Sequence, residues 1–255
     1  MQTGLFFDLH SWLLAALLAS ARVMPTFILL PFLNSSVLSG TARLPIIIMI
    51  SLTLWPVKID PLIALSTLDY IEILAKELMI GLLLACAFNL PMWVLHAVGS
   101  IIDNQRGATL SSSINPLTGI DSSELASLFN LFAAVVVLEG GGLTLILEVL
   151  QHSFHLWPPL AMTLPAMTPA LSFLATLMAK SLVLSSPAVS AFLLVEILLG
   201  LLSRYAPQMN AFSLALTLKS SVAFFVIILF FTPVIPHNLR QLAPVPDSLI
   251  DWLRS

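Results

Sequence analysis

The chain has 255 residues, of which 58% are hydrophobic and only 9% charged, with a mean hydropathy of +1.02. Ordinary globular domains carry about 25% charged residues, so a surface exposed to water on all sides is excluded. A net charge of −3 supplies no basic field for nucleic acid.

A membrane-crossing helix needs about 20 mostly apolar residues. Candidates run over residues 12–33, 44–57, 71–102, 125–150, 171–202 and 212–234. The fold class read from this pattern is an all-α membrane protein of broken helices and helical hairpins. Within the first run, the apolar stretch from Trp12 to Leu18 is followed by Ala19-Ser20-Ala21, a small-residue stretch of the kind that ends a signal peptide. Residues 1–11 contain Asp8 and no Lys or Arg, which is the wrong flank. The apolar run also continues through Leu33, so it reads as a retained first span, interrupted by Pro25 and Pro31. The second run is too short to cross alone. The third and fifth are too long for one perpendicular helix, and Pro91 and Ser185-Ser186-Pro187 divide them. Proline removes a backbone bond and clashes with the preceding turn, so each is either one bent helix or a hairpin. Cys86, the single cysteine, lies in an apolar run and reads as a small packing residue.

Residues 157–170 hold four prolines. They separate a front part, 1–156, from a C-terminal helical hairpin, 171–235, with a tail at 236–255. All belong to one subunit rather than to separate domains.

Charged residues inside or at the ends of these runs are Arg22, Glu72, Lys76, Glu77, Glu139, Glu148, Lys180, Glu196 and Lys219. Each costs about 2.5–3.5 kcal/mol at the centre of a lone span, so pairing, an end position or a protein-facing position is required. Glu72 and Lys76 are four apart in the favourable order and read as a helix-surface pair. Glu196 and Lys219 stand at similar depths in the two arms of the hairpin. They either form a buried charge pair or reach the membrane edge separately. Glu139-Gly140-Gly141-Gly142 is a poor helix interior, and is either a hinge with close helix crossing or a plain break between two helices.

The chain offers little for catalysis. Glu148, His152 and His155 share a helix face at i, i+4, i+7, but the zinc-peptidase spacings are absent, and Trp157-Pro158-Pro159 marks a membrane-edge turn just after. An interfacial polar cluster is the reading. Ser111-Ser112-Ser113 lacks a nucleophile context, and no phosphate loop or dinucleotide motif occurs. No catalytic residue, metal site or cofactor is expected.

Two polar islands remain. The first covers residues 99–124 and is weakly hydrophobic, rich in small residues in its second half, with an Asn-Pro-x-x-Gly turn. Asp103 and Arg106 stand where they would pin its base. The second is Ser203-Arg204-Tyr205-Ala206-Pro207-Gln208-Met209-Asn210, a rigid multi-donor connector between the two arms of the hairpin. Arg204, with five N–H donors, together with Pro207, Gln208 and Asn210, suits docking against other protein.

Gly99-Ser-Ile-Ile-Asp-Asn-Gln105-Arg106-Gly107, followed by Asn115-Pro116-Leu-Thr-Gly119, resembles the central motif of the type III secretion export-gate protein T family. Its flagellar relatives are the flagellar biosynthesis R proteins. The stretch from Ser203 to Phe212 resembles that family's second signature. The likeness extends over essentially the whole chain, and the wording Ile-Asp-Asn-Gln-Arg-Gly is closer to the virulence (injectisome) branch. Ser100 stands where flagellar members often have Glu, and Asn115 where Asp is common. The resemblance implies one subunit of a pseudo-helical export gate in the bacterial inner membrane, an R-like front part joined to an S-like hairpin. Its implied partners are gate proteins of the R, S and U families, secreted proteins in transit and membrane lipid. It also implies that the loop holding Gln105, Arg106, Gly107, Ser111, Ser112, Ser113, Asn115, Pro116 and Gly119 is the plug that closes the channel. A small-molecule secondary transporter is the competing reading, since broken helices at mid-depth suit it.

Overall fold

The computed structural model describes residues 2–33, 38–56, 66–107, 123–161, 168–206, 208 and 210–242. They form seven helices: α1 (Gln2–Leu29), α2 (Gly40–Leu54), α3 (Thr67–Arg106), α4 (Glu124–Glu139), α5 (Gly142–Leu156), α6 (Thr168–Tyr205) and α7 (Ala211–Leu242). Among the described residues there is no strand. Stretches of α1, α3, α6 and α7 are each long and apolar enough to cross a membrane, and α4 with α5 adds a broken fifth candidate. The chain is an all-α membrane protein.

Prolines break fewer helices than their chemistry suggests. Helix α3 runs through Pro91 for 40 residues and α6 through Pro187 for 38, so neither run is a hairpin by itself. In α6 the reason is visible. Pro187 cannot donate to the Val183 carbonyl, and the neighbouring Ser186 hydroxyl donates to it instead, at 2.7 Å. Serine thereby removes most of the penalty of a bare carbonyl in apolar surroundings. The glycine run behaves in the opposite way. Helix α4 ends at Glu139, and Gly141 takes the left-handed conformation (φ 80°) ahead of α5. The helix is therefore broken at this run, and among the described residues no other helix comes within 4 Å of a Cβ placed on Gly140 or Gly141.

The chain divides into two compact units, and α3 passes from the first to the second at Asn89–Leu90. The first unit holds α1, α2, the start of α3 and α5 with its following turn. In it α1 packs on α2, and α2 also touches α5. Ala15, Leu18 and Ile73 are buried together, with Trp55, Tyr70 and Leu74 packed against them. Helix α1 crosses α3 so closely that a Cβ on Gly81 would run into the Arg22 carbonyl.

At that crossing lies a charge cluster sealed from solvent. Arg22 is fully buried. Its Nε donates to Glu77 Oε2 at 2.6 Å and its Nη2 to Glu77 Oε1 at 2.8 Å. Two further N–H donors reach Ser153 Oγ at 3.2 Å and the Trp157 carbonyl at 2.8 Å. The guanidinium also sits 4.1 Å from the ring centroid of Phe154, whose edge meets Trp55. Lys76 donates to the carbonyls of Pro158, Pro159 and Ala161 at 2.7–2.8 Å. The sequence reading of Glu72 and Lys76 as a surface pair is therefore corrected. Glu72 is exposed, whereas Lys76 is only 3% exposed and faces the turn after α5. Spacing on one helix cannot reveal that a proline-rich turn, with few N–H groups of its own, offers carbonyls to the same lysine.

The second unit holds the rest of α3 with α4, nearly all of α6, and α7. Helix α4 contacts α7, and Phe129, Ala188, Phe192 and Ala223 are buried. The apolar spans of α6 and α7 are only 22% and 11% buried within the chain, against 61% for α3. Most of their apolar surface is thus left for hydrocarbon or other protein.

Breaking a buried ion pair from one side costs about 3–5 kcal/mol, because the other charge stays desolvated. Glu77→Ala is expected to lower the thermal unfolding temperature in detergent strongly. The double change Arg22→Met with Glu77→Leu should recover part of the loss, whereas additive losses would rule out coupling.

Candidate functional site at the foot of the first polar island

Helix α3 stops at Arg106 because Gly107 turns left-handed (φ 79°), a conformation that glycine adopts without strain. The Gly107 N–H bonds to the Asn104 carbonyl at 3.2 Å. The chain is described again at Ser123, the N-cap of α4. Between the two stands Asp103, 1% exposed. Its Oδ1 accepts from Arg106 Nε at 2.8 Å. Its Oδ2 accepts from Ser123 Oγ at 2.5 Å and from the Leu125 N–H at 3.0 Å. Ser123 Oγ in turn accepts from the Ala126 N–H at 3.1 Å. The carboxylate thus meets the positive end of the α4 dipole and one of the N–H groups that a helix start leaves over, while Ser123 takes a second. One turn back, a Cβ on Gly99 would fall within 3 Å of the Ala126 and Leu125 backbone, so only glycine lets α4 lie this close. The two ends of the polar segment are tied together by these contacts.

A second tie comes from α7. Lys219 donates to Glu196 of α6 and, at 3.1 Å, to the carbonyl of Gln105. That carbonyl belongs to the last turn of α3, where no helical N–H is left to receive. The pair is buried on one side only: Lys219 is 8% exposed, while the Glu196 side chain is 50% exposed. The expectation of a fully buried pair is corrected to that extent. The Gln105 carbonyl and Ser123 were not anticipated. For Ser123 a signal existed, since Ser-Glu before an apolar run is a helix-start signature. For the Gln105 carbonyl none existed, because backbone acceptors carry no residue identity.

Arg204, Gln208 and Asn210 are exposed at the connector between α6 and α7. Asn210 also caps α7, its side-chain Oδ1 accepting from the Ser213 N–H at 3.4 Å. Pro207 lies outside the described residues, as do Ser111, Ser112, Ser113, Asn115, Pro116 and Gly119. Glu148, His152 and His155 line an exposed face of α5. The described part of the site is thus an anchoring arrangement, in which Asp103 joins α3 to α4 and the Lys219–Glu196 pair joins α3, α6 and α7.

Comparison with known proteins gives a match to the family described as bacterial export proteins, family 1, over residues 13–244. Surface presentation of antigens protein SpaR of Salmonella typhimurium is 46% identical over 249 residues, covering 98% of this chain and 95% of the relative. Yop proteins translocation protein T of Yersinia pestis is 30% identical over 244 residues, covering 93% of each chain. Flagellar biosynthetic protein FliR of Bacillus subtilis is 28% identical over 165 residues, 62% of this chain and 63% of the relative.

Hydrogen bonds to a charged group are each worth about 1.5–3 kcal/mol. Asp103→Ala, which removes three of them, is expected to lower stability and to speed trypsin cleavage after Arg106. Cleavage at the wild-type rate would show that Asp103 does not hold this end of the segment.

Proposed function

Because the chain belongs to the bacterial export proteins, family 1, we propose that it is a structural and gating subunit of the inner-membrane export gate of a type III protein secretion system. The observation that carries this is the 46% identity to SpaR over nearly the full length of both chains. The weaker and shorter likeness to flagellar FliR favours the injectisome branch. The protein is a multi-pass membrane component of that apparatus. Membership of an export family speaks against a small-molecule transporter. Its partners in this reading are gate proteins of the R, S and U families, with unfolded secreted proteins passing between them and no chemical step performed by this subunit. Residues 1–156 act as the R-like part and 171–235 as the S-like hairpin.

Within that role, residues 107–115 close the channel. Small side chains in the sequence and a foot fastened by Asp103 and Lys219 support this assignment, since a closure must move while its ends stay fixed. Arg204, Pro207, Gln208 and Asn210 hold the hairpin connector against neighbouring subunits, and the exposure of Arg204, Gln208 and Asn210 in the isolated chain supports that assignment.

Deleting the gene segment for the whole chain should abolish secretion of the system's substrates, and normal secretion would refute the gate role. Removing residues 109–113 should raise ion leakage across the inner membrane while the gate complex still assembles. Unchanged leakage in an assembled deletion variant would reject the closure. Arg204→Ala should reduce co-purification of the R and S proteins, whereas normal complex yield would remove Arg204 from the interface.

A further inference from the structure

Two charge clusters hold α3, one toward each end, and each fastens it to a different helix. Toward the start, Glu77 grips Arg22, and the Ser153 hydroxyl and the Trp157 carbonyl bring α5 to the same guanidinium. Toward the end, Asp103 accepts from Ser123 and from the Leu125 N–H of α4, and the Gln105 carbonyl accepts from Lys219. Two paths of chain run from one cluster to the other: the middle of α3, and α4 with α5. Each path has one weak point.

In α3 the weak point is residues 87–91. Pro91 cannot donate to the Ala87 carbonyl. At Pro187 of α6 a serine hydroxyl takes over that duty, but residue 90 is Leu, which has no side-chain donor. Asn89 is fully buried, and its Nδ2 donates to the Ala85 carbonyl at 2.8 Å. Its Oδ1 is buried without a hydrogen-bond partner among the described residues. Buried acceptors without donors are rare in native structures and mark stored strain. In the second path the weak point is Gly140 and Gly141. A Cβ on Gly141 would meet nothing within 4 Å, and one on Gly140 would meet only carbonyls of its own helix. Close packing does not demand glycine at residue 140, so two successive glycines supply backbone freedom.

The division of the chain into two compact units falls at these same points, after Asn89 and after Gly140. Its third crossing, after Phe173, lies in the first two turns of α6. We propose that residues 89–91 and 140–141 are paired hinges, about which the unit holding Asp103 and Lys219 turns as one body against the unit holding Arg22 and Lys76. The charge clusters keep each unit rigid. A bend at Pro91 gives up no helical bond that the proline has not already removed, so α3 yields there before it yields elsewhere. In the gate reading, on which this use of the hinges rests, the motion carries both ends of the first polar island together while their clasp stays closed.

The test places spin labels on the gate complex purified in mild detergent, with Cys86→Ser and cysteines introduced at exposed polar positions. Ser127→Cys with Gln151→Cys spans the hinges from α4 to α5, and His96→Cys with Ser127→Cys stays within one unit. Distances read by electron paramagnetic resonance should spread more widely across the hinges than within the unit. Leu90→Ser supplies the missing hydroxyl, and Gly140→Ala restricts the backbone where a Cβ has room. Together they should narrow the first distribution to the width of the second, leave complex yield unchanged and lose most secretion. Pro91→Ala in place of Leu90→Ser restores the N–H itself and should act in the same direction. Equal widths for the two pairs in the otherwise unaltered protein would overturn the hinges, as would a broad distribution that both double variants leave unchanged. Narrowed distances with full secretion would overturn their use in opening. The distances are read without secretion, so they answer for the hinges whether or not the gate role stands.

Discussion

The carbonyls left over where helices end are the constraint on which much of this structure turns. A helix leaves its last four carbonyls without intrahelical donors, and in a chain with 9% charged residues water is not at hand to receive them everywhere. Three cations take up that task, and a fourth serves a turn just beyond a helix end. Arg43 donates to Phe27 in the last turn of α1, at 2.7 Å. Arg22 donates to the Trp157 carbonyl at the end of α5, and Lys76 to the carbonyls of Pro158, Pro159 and Ala161 in the turn that follows. Lys219 takes the Gln105 carbonyl at the end of α3. Each places positive charge where the helix dipole is negative, and each joins two segments that are distant in the chain.

Two buried carboxylates complete the arrangement. Glu77 neutralises Arg22 with a two-pronged bond, a geometry open to arginine and not to lysine. Asp103 performs the complementary service at the start of α4, where the leftover groups are N–H donors and the dipole is positive. Both units are thus built on the same principle. An apolar body packs with little directional preference, and a few desolvated charges fix which helix end meets which.

For a gate subunit this arrangement separates what must hold from what must move. The clasp around Asp103 and Lys219 fastens the two ends of the first polar island to rigid helices. The broad exposed faces of α6 and α7, with large side chains such as Leu198, Phe224 and Leu229 uncovered, leave the subunit incomplete on its own. A part designed for an assembly carries such surfaces because its neighbours, protein or lipid, supply the missing contacts.

The sequence by itself determined the all-α membrane class and the approximate place of the apolar helices among the described residues, because hydropathy and turn chemistry are local properties. It also placed Asp103 and Arg106 at the base of the first island, and set Glu196 at a depth that Lys219 matches. Only the tertiary structure decided that Lys76 serves the Pro158–Ala161 turn rather than Glu72, and that α3 and α6 pass their prolines unbroken. It alone decided that Arg22 finds Glu77, 55 residues away. The physical reason is the same in each case. A charge in an apolar run announces that a partner is needed, but when that partner is a backbone carbonyl or a residue on a distant helix, no local pattern identifies it.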